Sequence, residues 1–230
     1  MEVIPLFSWP LSMWHLPLPK YVLEFAREQE NDRHFNVKND IGNDKHVLHR
    51  PGMEGLKEVI QEKIDIFYEQ VMNINPKTIK GNIGQSWFTY TVEDQELHYH
   101  KHPNAFISGV FYIQTEETDY IQFDNPIRES LYREYRFATQ DRYKNEFNAP
   151  NTRLPVHPGT LILFPAHTWH QFGKTPSHKP RERPRISLGF DTFFSGTLSF
   201  GPQDYSTTII DANPDPGEGS YSDFWKKDEN

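Results

Sequence analysis

The stretch HKHPNAFISGVFYI, residues 100–113, joins two alternating histidines to a run of strand-forming residues. Side chains at positions i and i+2 of a β-strand point to the same face, so His100 and His102 can both reach one ion. Pro103 favours the extended backbone, because the residue before a proline is displaced from the helical region. The stretch therefore predicts a strand that carries two ligands of a single metal ion.

A second group of histidines follows an apolar strand later in the chain. The run Thr160–Phe164 begins after a Pro-Gly turn and ends at Pro165, and His167 and His170 come soon after it. Imidazole suits iron, zinc, copper or nickel, and the chain has no cysteine, which excludes a thiolate site. A solvent-facing strand would explain the first histidines taken alone, and the second group favours a metal site.

Arg185 opens a strand in which apolar side chains alternate with small or polar ones. Ile186 and Leu188 occupy one face, so Arg185 and Ser187 share the other. A guanidinium is always charged and binds a carboxylate through two parallel hydrogen bonds. Arg185 is thus a candidate carboxylate anchor, and the alternative is a surface arginine in the basic run that starts at Lys179.

Four segments, taken in order, resemble a group of iron(II)- and 2-oxoglutarate-dependent oxygenases that is common in bacteria and phage. The resemblance covers roughly residues 80–200, and the four together are far more specific than any one of them. The segments are HKHPNAFISGVFYI (100–113), FDNP (123–126), PGTLILFPAHTWHQ (158–171) and RISLGFDTF (185–193).

The resemblance implies a mainly β fold with flanking helices around a double-stranded β-helix core, also called a jelly roll and cupin-like. It further implies two cofactors, Fe(II) and 2-oxoglutarate. The iron ligands would be His100, His102 and His170. Arg185 would bind the distal carboxylate of 2-oxoglutarate, with Ser187 beside it. Tyr112 is a further candidate for a hydrogen bond to the co-substrate, although a core tyrosine is the simpler interpretation.

One position departs from the usual pattern of two histidines and a carboxylate. His102 stands where the wider superfamily has Asp or Glu. Either the site is a three-histidine variant, or Asp124 or Asp191 enters the iron shell. His98 lies on the same predicted strand face, so the local pair could also be His98 and His100; the resemblance favours His100 and His102.

The chain of 230 residues is long enough for one substantial core, and we expect a single domain, 1–230. Residues 1–80 would form a helical support, with amphipathic helices over 19–30 and 54–73. Residues 81–200 would form the β-helix core, interrupted by an insert, 124–153. Residues 201–230 would form a C-terminal tail. The aromatic-rich insert could be a lid or an excursion that packs on the barrel exterior.

The expected activity is hydroxylation of a C–H bond in a peptide or small molecule, with molecular oxygen as the second substrate. Two alternatives remain: a three-histidine, cupin-type oxygenase that does not use 2-oxoglutarate, and a metal-containing binding protein without catalysis. The sequence leaves the substrate and the oligomeric state open.

The net charge and hydropathy of the chain limit the classes of partner and the location that we expect. The formal net charge is −8, which disfavours nucleic-acid binding. The sequence has no apolar run of eighteen residues, so no membrane span is predicted. The N-terminal stretch MEVIPLFSWPL has an acidic residue at its second position in place of a basic region and contains two prolines, unlike a secretory signal, and a cytoplasmic location is expected.

Overall fold

A computed structural model of the chain describes residues 8–92, 95, 97–126, 145, 149–172, 181, 183–198 and 207–209. In this part of the chain two antiparallel β-sheets enclose the interior of the molecule, and helices cover one of them. Most of the predicted lid, residues 127–144 and 146–148, and most of the predicted tail, residues 201–206 and 210–230, lie outside the described residues.

The larger sheet has eight strands in the described ranges. Its centre is formed by residues 107–114, 185–198 and 79–91, three strands that carry most of the sheet's buried side chains. In spatial order the strands are β1 (Ser12–His15), β9 (Thr160–Pro165), β6 (Ile107–Gln114), β11 (Arg185–Leu198), β4 (Ile79–Thr91), β3 (Asn39–Gly42) and β2 (Arg33–Asn36), with β12 (Thr207–Ile209) paired to the end of β11.

The smaller sheet has four strands among the described residues and carries two of the candidate metal ligands. Its short strands are consistent with a sheet that closes over one side of a barrel. In spatial order they are β5 (Leu97–His100), β10 (His170–Phe172), β7 (Tyr120–Asp124) and β8 (Asn151–Pro155).

Two helices bury the outer face of the larger sheet. Helix α1 spans Lys20–Glu28, and helix α2 spans Glu54–Ile66 and continues as a π-helical turn, Phe67–Val71. Apolar residues of α2 pack with Phe88 and Phe190 in one large cluster. Both predicted helices are confirmed, and each ends a few residues before its predicted limit.

The inner face of the larger sheet meets the smaller sheet. Tyr112 and Phe164 from the larger sheet join Ile121 and Phe123 from the smaller one in a second buried cluster. Because alternate residues of β11 point to opposite faces, the outward Ile186 leaves the Arg185 and Ser187 side chains directed between the two sheets.

The structure corrects three details of the sequence-based boundaries. The N-terminal segment is more than a helical support, because β1, β2 and β3 all add to the larger sheet. The predicted insert is too long, since Asn151–Arg153 belongs to β8, which pairs with β7. Strand β5 ends at His100, so His102 does not share its strand.

No helix in the described ranges has the length and apolar character of a membrane span.

Candidate metal centre

Three imidazoles converge at one end of the space between the sheets. His100, His102 and His170 each offer a nitrogen, and these atoms all lie within 4.8 Å of one another. The pairing of β10 with β5 sets His170 directly opposite His100. The Nε2 atoms of His100 and His102 are 3.2 Å apart. Such a group of nitrogen atoms suits a transition-metal ion.

His102 reaches the group from a loop and not from the predicted strand position. Its backbone N–H donates to the Ala166 carbonyl at 2.9 Å, which fixes the loop against the segment after β9. Its ring stacks on Trp87, with 5.6 Å between ring centroids and 21° between the planes. Pro103 and Asn104 then form a turn, and Asn104 has a positive φ of 67°. Contacts with residues distant in the chain thus position the His102 side chain, whereas strand alternation was expected to do so.

Each of the three rings has an acceptor at its Nδ1 atom. His100 Nδ1 lies 2.7 Å from the His98 carbonyl, and His170 Nδ1 lies 2.9 Å from the Thr168 carbonyl. His102 Nδ1 lies 2.8 Å from a carboxylate oxygen of Asp191. Oxygen acceptors at Nδ1 require N–H at that atom, so the Nε2 lone pair of each ring is left for a metal ion.

Burial keeps the rings of His100 and His170 neutral. Burial lowers the pKa of His100 to about 4, assisted by the neighbouring charge of His102. Burial also lowers the pKa of His170 well below its usual range, with His100 and His102 as further causes. A neutral imidazole is the form that binds a metal ion.

Asp191 acts on the centre through His102. Its carboxylate accepts hydrogen bonds from His102 Nδ1 and, at 2.5 Å, from Ser108 Oγ. Neither Asp191 nor Asp124 belongs to the group of converging ligand atoms found in the described residues. Sequence reasoning missed Ser108 and Trp87, whose contribution depends on the register of β6, β11 and β4.

The remaining histidines of the two sequence clusters do not join the group. His157 and His167 are exposed, and His167 packs edge-on against Trp9. The His98 ring centroid lies 4.8 Å from that of His100. The Nδ1 atom of His98 is buried and has no hydrogen-bond partner among the described residues.

Arg185 lies at the other end of the inner face, 2% exposed. Its guanidinium carbon is 3.0 Å from the centroid of the Phe172 ring and 5.9 Å from that of Tyr112. Its Nε and Nη1 atoms have no hydrogen-bond partner in the described ranges. Burial lowers the pKa of Arg185 to about 10, and the group remains charged at neutral pH.

Ser187 and Tyr112 accompany Arg185. They are register partners on β11 and β6, and both are buried. Burial raises the pKa of Tyr112, so its hydroxyl stays protonated and can donate a hydrogen bond. The structure therefore brings the three residues of the predicted carboxylate site to one interior face.

Comparison with known proteins agrees with this arrangement. Residues 85–191 match the model of the family described as "Putative 2OG-Fe(II) oxygenase". No curated protein matches the chain in sequence. Among solved structures, a prolyl-4-hydroxylase from Pseudomonas putida is similar with a TM-score of 0.51 and 12% identity, over 80% of this chain and 93% of that one.

Two enzymes of nogalamycin biosynthesis are similar in fold as well. The α-ketoglutarate-dependent carbocyclase SnoK gives a TM-score of 0.52 and 13% identity, over 85% of this chain and 84% of that one. The α-ketoglutarate-dependent epimerase SnoN gives a TM-score of 0.52 and 11% identity, over 82% of this chain and 80% of that one. At this identity the similarity concerns the fold, and the predicted double-stranded β-helix is confirmed.

The matched segment, residues 85–191, is thus similar to the class of iron(II)- and 2-oxoglutarate-dependent oxygenases. The donor set fits the cofactors of this class. Three imidazoles suit iron(II), and a buried guanidinium with unpartnered N–H groups in the described structure suits a carboxylate. The predicted cofactors, Fe(II) and 2-oxoglutarate, are those of the family.

Proposed function

We propose that the chain hydroxylates a C–H bond of a peptide or small molecule, with His100, His102 and His170 as the iron ligands. Arg185, with Ser187 and Tyr112, binds 2-oxoglutarate. The observation that carries this proposal is the presence, in the space between the two sheets, of both a three-nitrogen group and a buried arginine whose Nε and Nη1 lack partners in the described residues.

The protein's own groups have separate tasks in this scheme. The three Nε2 atoms hold the metal ion, and the Nδ1 hydrogen bonds fix the orientation of the rings. The Arg185 fork binds the distal carboxylate, and the apolar walls around Phe172 and Phe164 exclude water. When bound, iron(II) and 2-oxoglutarate supply the oxidising chemistry, with oxygen consumed and succinate and carbon dioxide released.

The domain assignment extends this proposal to the whole chain. The helices and strands before residue 80 share the sheet and the buried cluster of the core, which supports one oxygenase domain, 1–230. The partners we propose are a peptide or small-molecule substrate and molecular oxygen, without nucleic acid. The cytoplasmic location remains a prediction from the sequence.

The test is anaerobic addition of iron(II) and 2-oxoglutarate to the full chain. A weak visible charge-transfer absorption band is expected once both are present, and succinate should form slowly when oxygen is admitted. Zinc(II) in place of iron(II) is the control, since a closed-shell ion gives neither the band nor succinate. Absence of both signals from iron-loaded protein would contradict the proposal.

One observation favours a second candidate. The third ligand is the imidazole of His102 and not a carboxylate, as in three-histidine oxygenases of the cupin type that bind their organic substrate directly to iron. Iron-loaded protein that binds no 2-oxoglutarate, yet consumes oxygen with an organic substrate, would support this candidate. Iron binding without any oxygen consumption would instead indicate a metal-containing binding protein.

A further inference from the structure

A row of buried polar side chains crosses three strands beside Arg185. Thr91 on β4 is the register partner of Arg185 on β11. Asn39 on β3 directly precedes Asp40, which is the partner of Tyr90, so Asn39 lies beside Thr91. Opposite residues of antiparallel strands share a face, and the three side chains therefore point to the same side of the sheet.

This row concentrates unsatisfied polar atoms. Asn39 and Thr91 are each 1% exposed. In the described ranges, Asn39 Oδ1, Thr91 Oγ1 and two nitrogens of Arg185 have no hydrogen-bond partner. Buried polar groups are nearly always paired, and each unpaired one destabilises the fold. Asn39 uses its Nδ2 atom in a long hydrogen bond of 3.4 Å to the Asp40 carbonyl. Each of three consecutive members of this cross-strand row therefore holds at least one unsatisfied polar atom, which indicates a ligand that supplies the missing hydrogen bonds.

The chemistry of the row defines the ligand. A guanidinium donates two parallel hydrogen bonds, a hydroxyl donates one, and a carboxamide can present either its oxygen or its nitrogen. A carboxylate has about four lone-pair sites and can accept several such bonds at once. The charge of Asp119 raises the pKa of Arg185, but both terminal nitrogens of Arg181 already donate hydrogen bonds to that carboxylate.

We propose that Thr91 and Asn39 are co-substrate-binding residues that complete, with Arg185, the pocket for the distal carboxylate of 2-oxoglutarate. This inference rests on the proposed function. Thr91 donates its hydroxyl hydrogen to one carboxylate oxygen, and Asn39 closes the end of the pocket. Asn39 lies outside the matched family segment, residues 85–191, so the N-terminal hairpin β2–β3 becomes part of the site.

The experiment measures 2-oxoglutarate binding and unfolding for the full chain loaded with iron(II) under anaerobic conditions. Thr91→Val removes the hydroxyl and keeps the shape. It should weaken 2-oxoglutarate binding by about tenfold, as expected for one lost hydrogen bond to a charged group. The ligand-free protein should be no less stable, because the lost hydroxyl had no partner in the described structure. Thr91→Ser should restore binding.

Asn39→Asp gives a sharper result. A carboxylate at this position would pair with Arg185 in place of the co-substrate, so binding should fall by roughly 100-fold or more while the ligand-free protein stays folded. Asn36→Asp is the matched control, since Asn36 is the partner of Asn39 one strand farther from Arg185, and it should bind 2-oxoglutarate like wild type.

The outcomes separate this inference from the proposed function. If wild type does not bind 2-oxoglutarate at all, both are wrong. If wild type binds it and Arg185→Ala does not, while Thr91→Val and Asn39→Asp bind normally, only the inference is wrong. Destabilised Asn39→Asp protein with normal binding would likewise overturn it, because an unpaired buried carboxylate would show that Arg185 is out of reach.

Discussion

The two ends of the candidate site differ in how completely the protein satisfies its own polar groups. At the metal end, His100, His102 and His170 each have an oxygen acceptor at Nδ1. At the other end, Arg185 and Thr91 are more deeply buried than His100 and His102, yet they retain polar atoms without partners in the described structure.

The metal end is preorganised, whereas the Arg185 end is completed only by a ligand. Hydrogen bonds fix the orientation of the rings before any ion binds, so metal binding does not have to order them. The Arg185 end has already lost its hydration, and only a ligand can replace it. Perturbing the first end should therefore affect the metal, and perturbing the second end should affect the co-substrate.

The largest effect is expected from removal of a ligand ring. Replacing His100, His102 or His170 with Ala should weaken iron binding by more than about 100-fold, because three ligands are the minimum for this geometry. Iron content after dialysis, measured by atomic absorption, checks this. His34→Ala is the control, since His34 is exposed and hydrogen-bonded to Asn43. Equal iron content in all four variants and wild type would contradict the ligand assignment.

Acid should destabilise the metal end of the ligand-free protein. In the unfolded chain histidine titrates near 6.5, whereas the pKa of folded His100 is about 4. Between these values the unfolded chain binds a proton that the folded chain does not, so stability falls as the pH falls. The loss from His100 alone is about 3 kcal/mol at full effect. Denaturant titrations at pH 7 and pH 4.5 measure it.

The control for this pH dependence is His100→Ala, which should show a shallower decline over the same window. His34→Ala should keep the wild-type slope. If His100→Ala and wild type lose the same stability between the two pH values, the buried neutral ring is not the cause.

Removal of Arg185 should affect the opposite end. Arg185→Ala should raise the 2-oxoglutarate concentration needed for half-saturation by roughly 10- to 100-fold, the value of a charge-assisted contact, with iron affinity unchanged. Calorimetric titration and succinate formation check the two parts. Arg183→Ala, an exposed arginine of the same basic run, is the control. A variant that behaves like wild type, together with absence of succinate, would favour the three-histidine alternative.

Substitution of Asp191 tests whether its carboxylate influences the metal ion through His102. Asp191→Asn keeps an acceptor for His102 Nδ1 and removes the negative charge, so iron affinity should fall by about tenfold. The absorption band of the complex with iron and 2-oxoglutarate should shift, because the basicity of His102 changes. Asp124→Asn is the comparison, and loss of iron from that variant would instead place Asp124 in the iron shell.

The smallest effect is expected from His98, which lies beside His100 without belonging to the converging group in the described residues. His98→Ala should reduce turnover by about tenfold and leave iron content near wild type. If His98→Ala loses iron while His102→Ala keeps it, the local ligand pair is His98 and His100.

Local sequence patterns predicted much of this molecule. The core strands and both helices were recognisable because alternation and helical periodicity reflect one buried face, which neighbouring residues encode together. The same reasoning failed for Ser12–His15, which has no alternating pattern and becomes a strand only by pairing with β9. It failed likewise for the hairpin β2–β3, whose position is decided by pairing with β4.

For the candidate site, the residue types are enough to define the chemistry: histidines without cysteine, and an arginine at the start of an alternating strand. The geometry depends on contacts that form only in the folded chain. Asp191 meets His102, and Asn39 comes to the row of Arg185, through strand register, which depends on contacts between segments distant in the chain. Residue type fixes which bonds a side chain can make, whereas its partner is fixed only when the two sheets close around the interior.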